Sequence, residues 1–202
     1  LREVDRLNTM LSSLLVYGRP QPLRLTIGNP DAVWDDVIES NRARMDDAGI
    51  ESVVKTVRPD FLQLHGHESV QRTAEIRARF DVAVIKALPV AEASDFDVVA
   101  AYEKYADMLM FDARPPKGAD RAGGHGAAFD WKLLAGRSFT KPWFLAGGLN
   151  PDNVARAVEL SGATLVDVSS GVESAPGVKD AARIADFVTA AKSPVSLSKQ
   201  SA

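Results

Sequence analysis

From Phe61 onward the sequence alternates between short apolar runs and helical stretches, and this alternation limits the fold more than any other feature. The runs are Phe61–His65, Ala83–Leu88, Met108–Asp112 and two more within Trp143–Val172. Apolar runs of this length bounded by Gly or Pro read as buried strands. Between and after them lie Ser69–Phe80, capped by Ser69, then Ala91–Tyr105, Phe129–Ala135 and a last helix over about Val178–Ala191. Strands separated by helices pair in parallel, and strands apolar at most positions are covered on both faces. Five regular βα units over 61–192 therefore imply an α/β fold. Eight units of about 25 residues would make a (β/α)8 TIM barrel of the smallest usual size.

The front of the chain fits that barrel poorly. Arg2–Val16 has the spacing of an amphipathic helix, Leu23–Ile27 alternates like a strand, and Asp31–Ala48 and Ile50–Val57 read as helices interrupted by Gly49. One convincing strand before Phe61 leaves the first two to three units incomplete or irregular. The expectation is a single barrel domain over 1–202, with 1–45 atypical and the Ser- and Lys-rich 193–202 a tail.

Two of the strands end in small residues. Trp143-Phe-Leu-Ala runs into Gly147-Gly148, and Leu165-Val-Asp-Val runs into Ser169-Ser170-Gly171. Glycine lets backbone amides approach a ligand with no Cβ in the way. Asn150 reads as a helix cap with Pro151 at the first helical position. Consecutive turns of this kind at the C-terminal ends of the last two strands are where barrels hold phosphate. Gly147, Gly148, Ser170 and Gly171 are thus the candidate phosphate-binding residues, although ordinary tight turns would read alike.

Polar residues at the ends of the other strands supply the remaining candidates. Asp112 emerges from Leu109-Met-Phe, so desolvation would suit it to general-acid work; the competing reading is a carboxylate capping its loop or pairing with Arg114 or Lys117. Gln63 and His65 are candidate substrate-binding residues, with His65 either orienting substrate or bonding a neighbouring strand end. Lys86 meets an anionic substrate, pairs with Asp112, or serves as a Schiff-base or general-base lysine. Asp167 points into the barrel or toward the helices, and Glu173 braces the Ser-Ser-Gly turn.

Composition narrows the partners. The net charge of −3 and the lack of any basic run argue against nucleic acid. No apolar run reaches the ~18 residues of a membrane span. The chain has no cysteine, which excludes disulfides and thiolate chemistry and fits a reducing, cytoplasmic setting.

Several stretches together resemble the phosphoribosylanthranilate isomerase family. They are Leu62-Gln-Leu-His-Gly66 with Glu68, Val84-Ile-Lys-Ala87, Phe111-Asp-Ala113 before Pro116-Lys-Gly118, and Gly123-Gly-His-Gly126 before Phe129-Asp-Trp131. Leu145-Ala-Gly-Gly-Leu-Asn-Pro151 and Val166-Asp-Val-Ser-Ser-Gly-Val-Glu173 complete the set, in the family's order over about residues 50–192. The resemblance implies a TIM barrel that carries out an Amadori rearrangement in tryptophan biosynthesis, on a small-molecule sugar phosphate, with no cofactor and no metal. It maps the family's general acid onto Asp112 and its phosphate grip onto Gly147, Gly148, Ser170 and Gly171. It also implies a first strand Lys-Ile-Cys-Gly whose Cys is the general base, and a Ser-x-Arg segment whose Arg meets the anthranilate carboxylate. Neither occurs here, and the family pattern begins only near Asp46. A front that is truncated, replaced or read in a shifted frame is therefore expected, with phosphate-end binding and weak isomerisation. The alternatives are a non-catalytic phosphate-binding or dimerising barrel fragment, and another sugar-phosphate barrel enzyme built on Lys86. Either a monomer or a homodimer suits the chain.

Overall fold

Side chains along the central strands alternate strictly between two apolar faces, and that alternation decides what each strand end presents. A computed structural model describes residues 47–114, 128–175 and 177–192; the expected elements at the front, the rest of the loop after Arg114 and the tail lie outside them. Helix α1 (Asp47–Val57) leads into β1 (Phe61–Leu64), α2 (Val70–Phe80) and β2 (Ala83–Val90). A 3₁₀ turn (Ala93–Val98) and one α turn, α3 (Val99–Tyr102), precede β3 (Met108–Ala113). A second 3₁₀ turn (Trp131–Leu134) leads to β4 (Trp143–Leu145), α4 (Val154–Ser161) and β5 (Leu165–Val166). A third (Ser170–Val172) opens a hairpin of β6 (Glu173–Ala175) and β7 (Val178–Lys179), and α5 (Ala181–Lys192) closes the described chain.

Strands β1 to β5 form one parallel sheet in the order β1-β2-β3-β4-β5. A doubly wound sheet reverses its strand order at a switch point. This sheet steps in one direction only, which is the topology of a barrel arc.

One face carries Ile85, Ala87, Met110 and Ala146, with Phe61, Met108 and Phe144 against them. It is the inner, barrel-facing layer. The opposite face meets the helices. Leu62, Leu64 and Val84 pack on Ile50 and Ile76, while Leu88, Leu109, Phe111 and Leu145 pack on Phe96, Val99, Val154 and Phe187. Period-two parity then puts Gln63, His65 and Asp112 on the inner side and Lys86 on the helix side.

Several elements depart from expectation for identifiable reasons. Gly49 does not interrupt α1, because burial of Ile50 and Val53 outweighs the ~1 kcal/mol that glycine costs in a helix. Strand β2 runs through Pro89 to Val90. Its pairing with β1 ends at Lys86, so Pro89 has a ladder on the β3 side only and sits where a missing N–H is tolerated. The last helix starts at Ala181, since Gly177 (φ 78°) turns the chain into the β6–β7 hairpin and Asp180 accepts the Arg183 N–H as cap. The stretch after β4 becomes helical proper only at Val154. Asn150 organises the turn before it, accepting the N–H groups of Asp152 and Asn153 at 2.9 and 3.1 Å.

The β2–β3 register is pinned by Asp107. Its carboxylate takes a two-pronged contact from Arg77 at 2.7 and 2.8 Å and the Val84 N–H at 2.9 Å. Partial burial pushes this carboxyl up, but the guanidinium and the amide together outweigh it and hold Asp107 below the usual carboxylate range.

Candidate active site

The inner-face strand ends converge on Asp112. His65 Nε2 lies 2.9 Å from Asp112 Oδ2, and the Ala113 N–H reaches Oδ1 at 2.8 Å. Both side chains are shielded, at 14% and 12% exposure, so the contact is not diluted by bulk water. Behind His65, Gln63 Nε2 is 3.2 Å from Nδ1 and 3.4 Å from Met110 Sδ. Of the two structural readings of Asp112, pairing with Arg114 does not occur: Arg114 reaches Asp95 and Glu92 instead. Lys117 lies outside the described residues.

The glycine turn after β4 rests directly on this carboxylate. Gly147 has φ 86°, and a Cβ there would sit 2.7 Å from Asp112 Oδ1 and collide with the Ala113 amide. Gly148 also has positive φ (65°), and its carbonyl is tied to Asn153 Nδ2 at 2.9 Å. The second turn abuts the first. A Cβ on Gly171 would overlap the Leu149 carbonyl oxygen and lie 2.9 Å from its carbon. Gly147 thus lies against Asp112, and Gly171 lies against the Leu149 carbonyl of the same turn.

Sequence reasoning misses Lys179, which lies hidden inside the expected last helix. Its ammonium reaches Ser169 O at 2.9 Å and Ser169 Oγ at 3.2 Å, and Glu173 holds it at 2.8 Å. Glu173 thus braces the Ser-Ser-Gly turn through a cation. Only the hairpin brings the two residues together, and no local spacing signals it. Asp167 follows β5. Its N–H donates to Leu145 O at 2.9 Å and so extends the β4–β5 pairing one residue past Val166.

Lys86 is the correction. The sequence reading has it facing the site or paired with Asp112, but it lies on the helix side, 2% exposed. Its ammonium donates to Leu64 O at 3.2 Å, Gly66 O at 3.0 Å and Glu68 Oε2 at 2.7 Å. Those three contacts use all three donors. Burial holds Lys86 below the usual lysine value, with the Glu68 carboxylate pulling the other way. Burial likewise pushes Glu68 up, but the Lys86 charge and hydrogen bond, with the backbone amides, bring it below the ordinary range. Tyr102 closes the cluster, its hydroxyl on Glu68 O at 2.9 Å. Lys86 therefore clamps the backbone on either side of His65 from behind the sheet, and the reading of a Schiff-base barrel enzyme loses its nucleophile.

The contact between the glycine turns is directly testable. Gly171→Ala forces a methyl group against backbone that has no rotamer to escape into. Overpacking of this kind costs about 1–3 kcal/mol. A thermal melt should fall by roughly 2–4 °C for each kcal/mol in a chain of this size. An unchanged melting temperature would show that the two turns are not in contact.

A parallel barrel arc with a shielded carboxyl beside paired glycine turns, all at the C-terminal ends of strands, has the build of a phosphate-handling barrel enzyme. Comparison with known proteins makes the class specific. Residues 43–190 match the family model described as PRAI, N-(5'-phosphoribosyl)anthranilate (PRA) isomerase. The N-(5'-phosphoribosyl)anthranilate isomerase of Rhodospirillum rubrum is 56% identical over 147 residues, covering 73% of this chain and 67% of the relative. That of Cereibacter sphaeroides is 52% identical over 172 residues, covering 85% and 80%. The crystal structure of phosphoribosyl anthranilate isomerase from Thermotoga maritima superposes with a TM-score of 0.61 at 35% identity, covering 72% of this chain and 67% of that one. The chain belongs to the PRA isomerase family, and its five described parallel strands form an arc of a TIM-barrel-like α/β fold.

Proposed function

We propose that the chain acts as an aldose–ketose isomerase in L-tryptophan biosynthesis, converting N-(5'-phosphoribosyl)anthranilate to 1-(2-carboxyphenylamino)-1-deoxyribulose 5-phosphate. The observation that carries the assignment of roles is the direct abutment of Gly147 on the Asp112 carboxyl. A phosphate held by the amides of Gly147, Gly148, Ser170 and Gly171 would leave the sugar ring beside Asp112. Asp112 then protonates the furanose ring oxygen, the C1–O bond breaks, and the nitrogen lone pair forms the iminium. Loss of the C2 proton gives the enolamine, which tautomerises to the aminoketose. No cofactor enters this sequence. The setting is cytoplasmic, the active unit is a monomer or a homodimer, the ligand is a small sugar phosphate, and nucleic acid plays no part.

The C2 proton needs a base. The family resemblance assigns that step to a Cys, and this sequence contains none. Positioned proton transfer contributes about 10²–10⁴-fold. A steady-state assay of the 202-residue chain with N-(5'-phosphoribosyl)anthranilate is expected to show turnover lower by about that factor than in a cysteine-bearing relative. Turnover in the ordinary range of about 1–10³ s⁻¹ would overturn the need for that cysteine. Phosphate binding with no turnover at all would favour the second reading, a non-catalytic phosphate-binding barrel. The exposed apolar side chains Ile184 and Val188, a turn apart on α5, offer a face for self-association under either reading.

A further inference from the structure

Gln63 is almost fully buried on the inner face of β1, at 1% exposure. Its amide nitrogen faces two groups, Met110 Sδ at 3.4 Å and His65 Nδ1 at 3.2 Å. Its carbonyl oxygen, Oε1, is equally buried and has no hydrogen-bond partner among the described residues. Buried amide oxygens are seldom left this way, because turning the amide over usually finds them a donor.

Here the sulfur opposes the turn. A thioether accepts but has no hydrogen to donate. With the amide reversed, Oε1 would face the sulfur lone pairs and the –NH2 group would lose its contact with Met110. The –NH2 end therefore stays toward Met110 and His65. A donor aimed at Nδ1 requires Nδ1 to be the bare nitrogen of the ring. The ring proton then sits on Nε2, which lies 2.9 Å from Asp112 Oδ2. Donation runs in one direction, from Gln63 to His65 and from His65 to Asp112.

We infer that Gln63 is a positioning residue that fixes His65 as the neutral Nε2–H tautomer, so that His65 holds Asp112 in place through Oδ2. His65 then bonds a neighbouring strand end, one of the two roles expected of it from sequence, and Gln63 acts through it. The orphaned Oε1 is the cost of that polarity. The significance of the inference rests on the reading of Asp112 as the acid, but its test does not.

The test uses the full 202-residue chain, labelled with ¹⁵N, with the His65 ring nitrogens observed by long-range ¹H–¹⁵N NMR near neutral pH. The wild-type ring is expected to show a protonated Nε2 and a bare Nδ1. Gln63→Leu, which removes the donor, should give a mixture of tautomers. Gln63→Glu places an acceptor at Nδ1 and should give a doubly protonated ring. A wild-type His65 found as Nδ1–H or as imidazolium overturns the inference, and so does a Gln63→Leu protein that keeps the Nε2–H form alone. The wild-type spectrum decides the first point even if a variant fails to fold. Since the spectrum does not depend on turnover, an inactive protein with an Nε2–H ring would count against the proposed function and leave this assignment standing.

Discussion

Asparagine in place of Asp112 is expected to lower kcat by about 10²–10⁴-fold, the range of a lost proton transfer. Two effects combine. The amide carries no transferable proton at working pH, so ring opening loses its acid. It also cannot accept from both neighbours: its –NH2 end must face an N–H, either that of Ala113 or that of His65. The substitution thus disturbs His65 as well as removing the acid. KM should move far less than kcat, because the proposed phosphate grip lies in the glycine turns and a loss confined to the transition state appears in kcat. Steady-state kinetics on Asp112→Asn check this. A variant that keeps wild-type kcat would remove Asp112 from the mechanism.

Methionine in place of Lys86 is expected to have the largest effect on stability. Methionine replaces most of the stem and fills the space, so cavity formation contributes little. What is lost is the ammonium, leaving Leu64 O and Gly66 O without that donor and the Glu68 carboxylate without its cation. Breaking a buried pair from one side costs about 3–5 kcal/mol. The lower end applies here, because the Glu68 side chain is 25% exposed and still accepts the Gly66 N–H. At roughly 2–4 °C per kcal/mol, the thermal midpoint should drop by about 6–12 °C. Adding Glu68→Gln should recover part of the loss by removing the stranded charge. A single variant that melts like wild type would mean that the clamp contributes nothing.

Those two residues also show how far the sequence can be read. Asp112 closes a buried strand, and its neighbours in sequence are enough to mark it as a shielded carboxyl. Lys86 lies within another such strand, near its expected end, and the same reasoning puts it in the site. The difference lies in parity. Strands buried on both faces are apolar at every position, so their sequence does not reveal which face a polar residue takes. Only the register against β1 and β3 separates Lys86 from Asp112. Gly147 and Gly171 are legible as a pair because close backbone approach requires glycine at both. Lys179 is not, since its link to Ser169 depends on the hairpin turn at Gly177 and not on any periodic pattern. Likewise Pro89 reads as a strand terminator until the length of the neighbouring strand is known.

The absence of a side chain at Gly147 has one more consequence. Because the turn's backbone lies against the Asp112 carboxyl, that side of the carboxyl is walled by main chain, which has no rotamer to move aside.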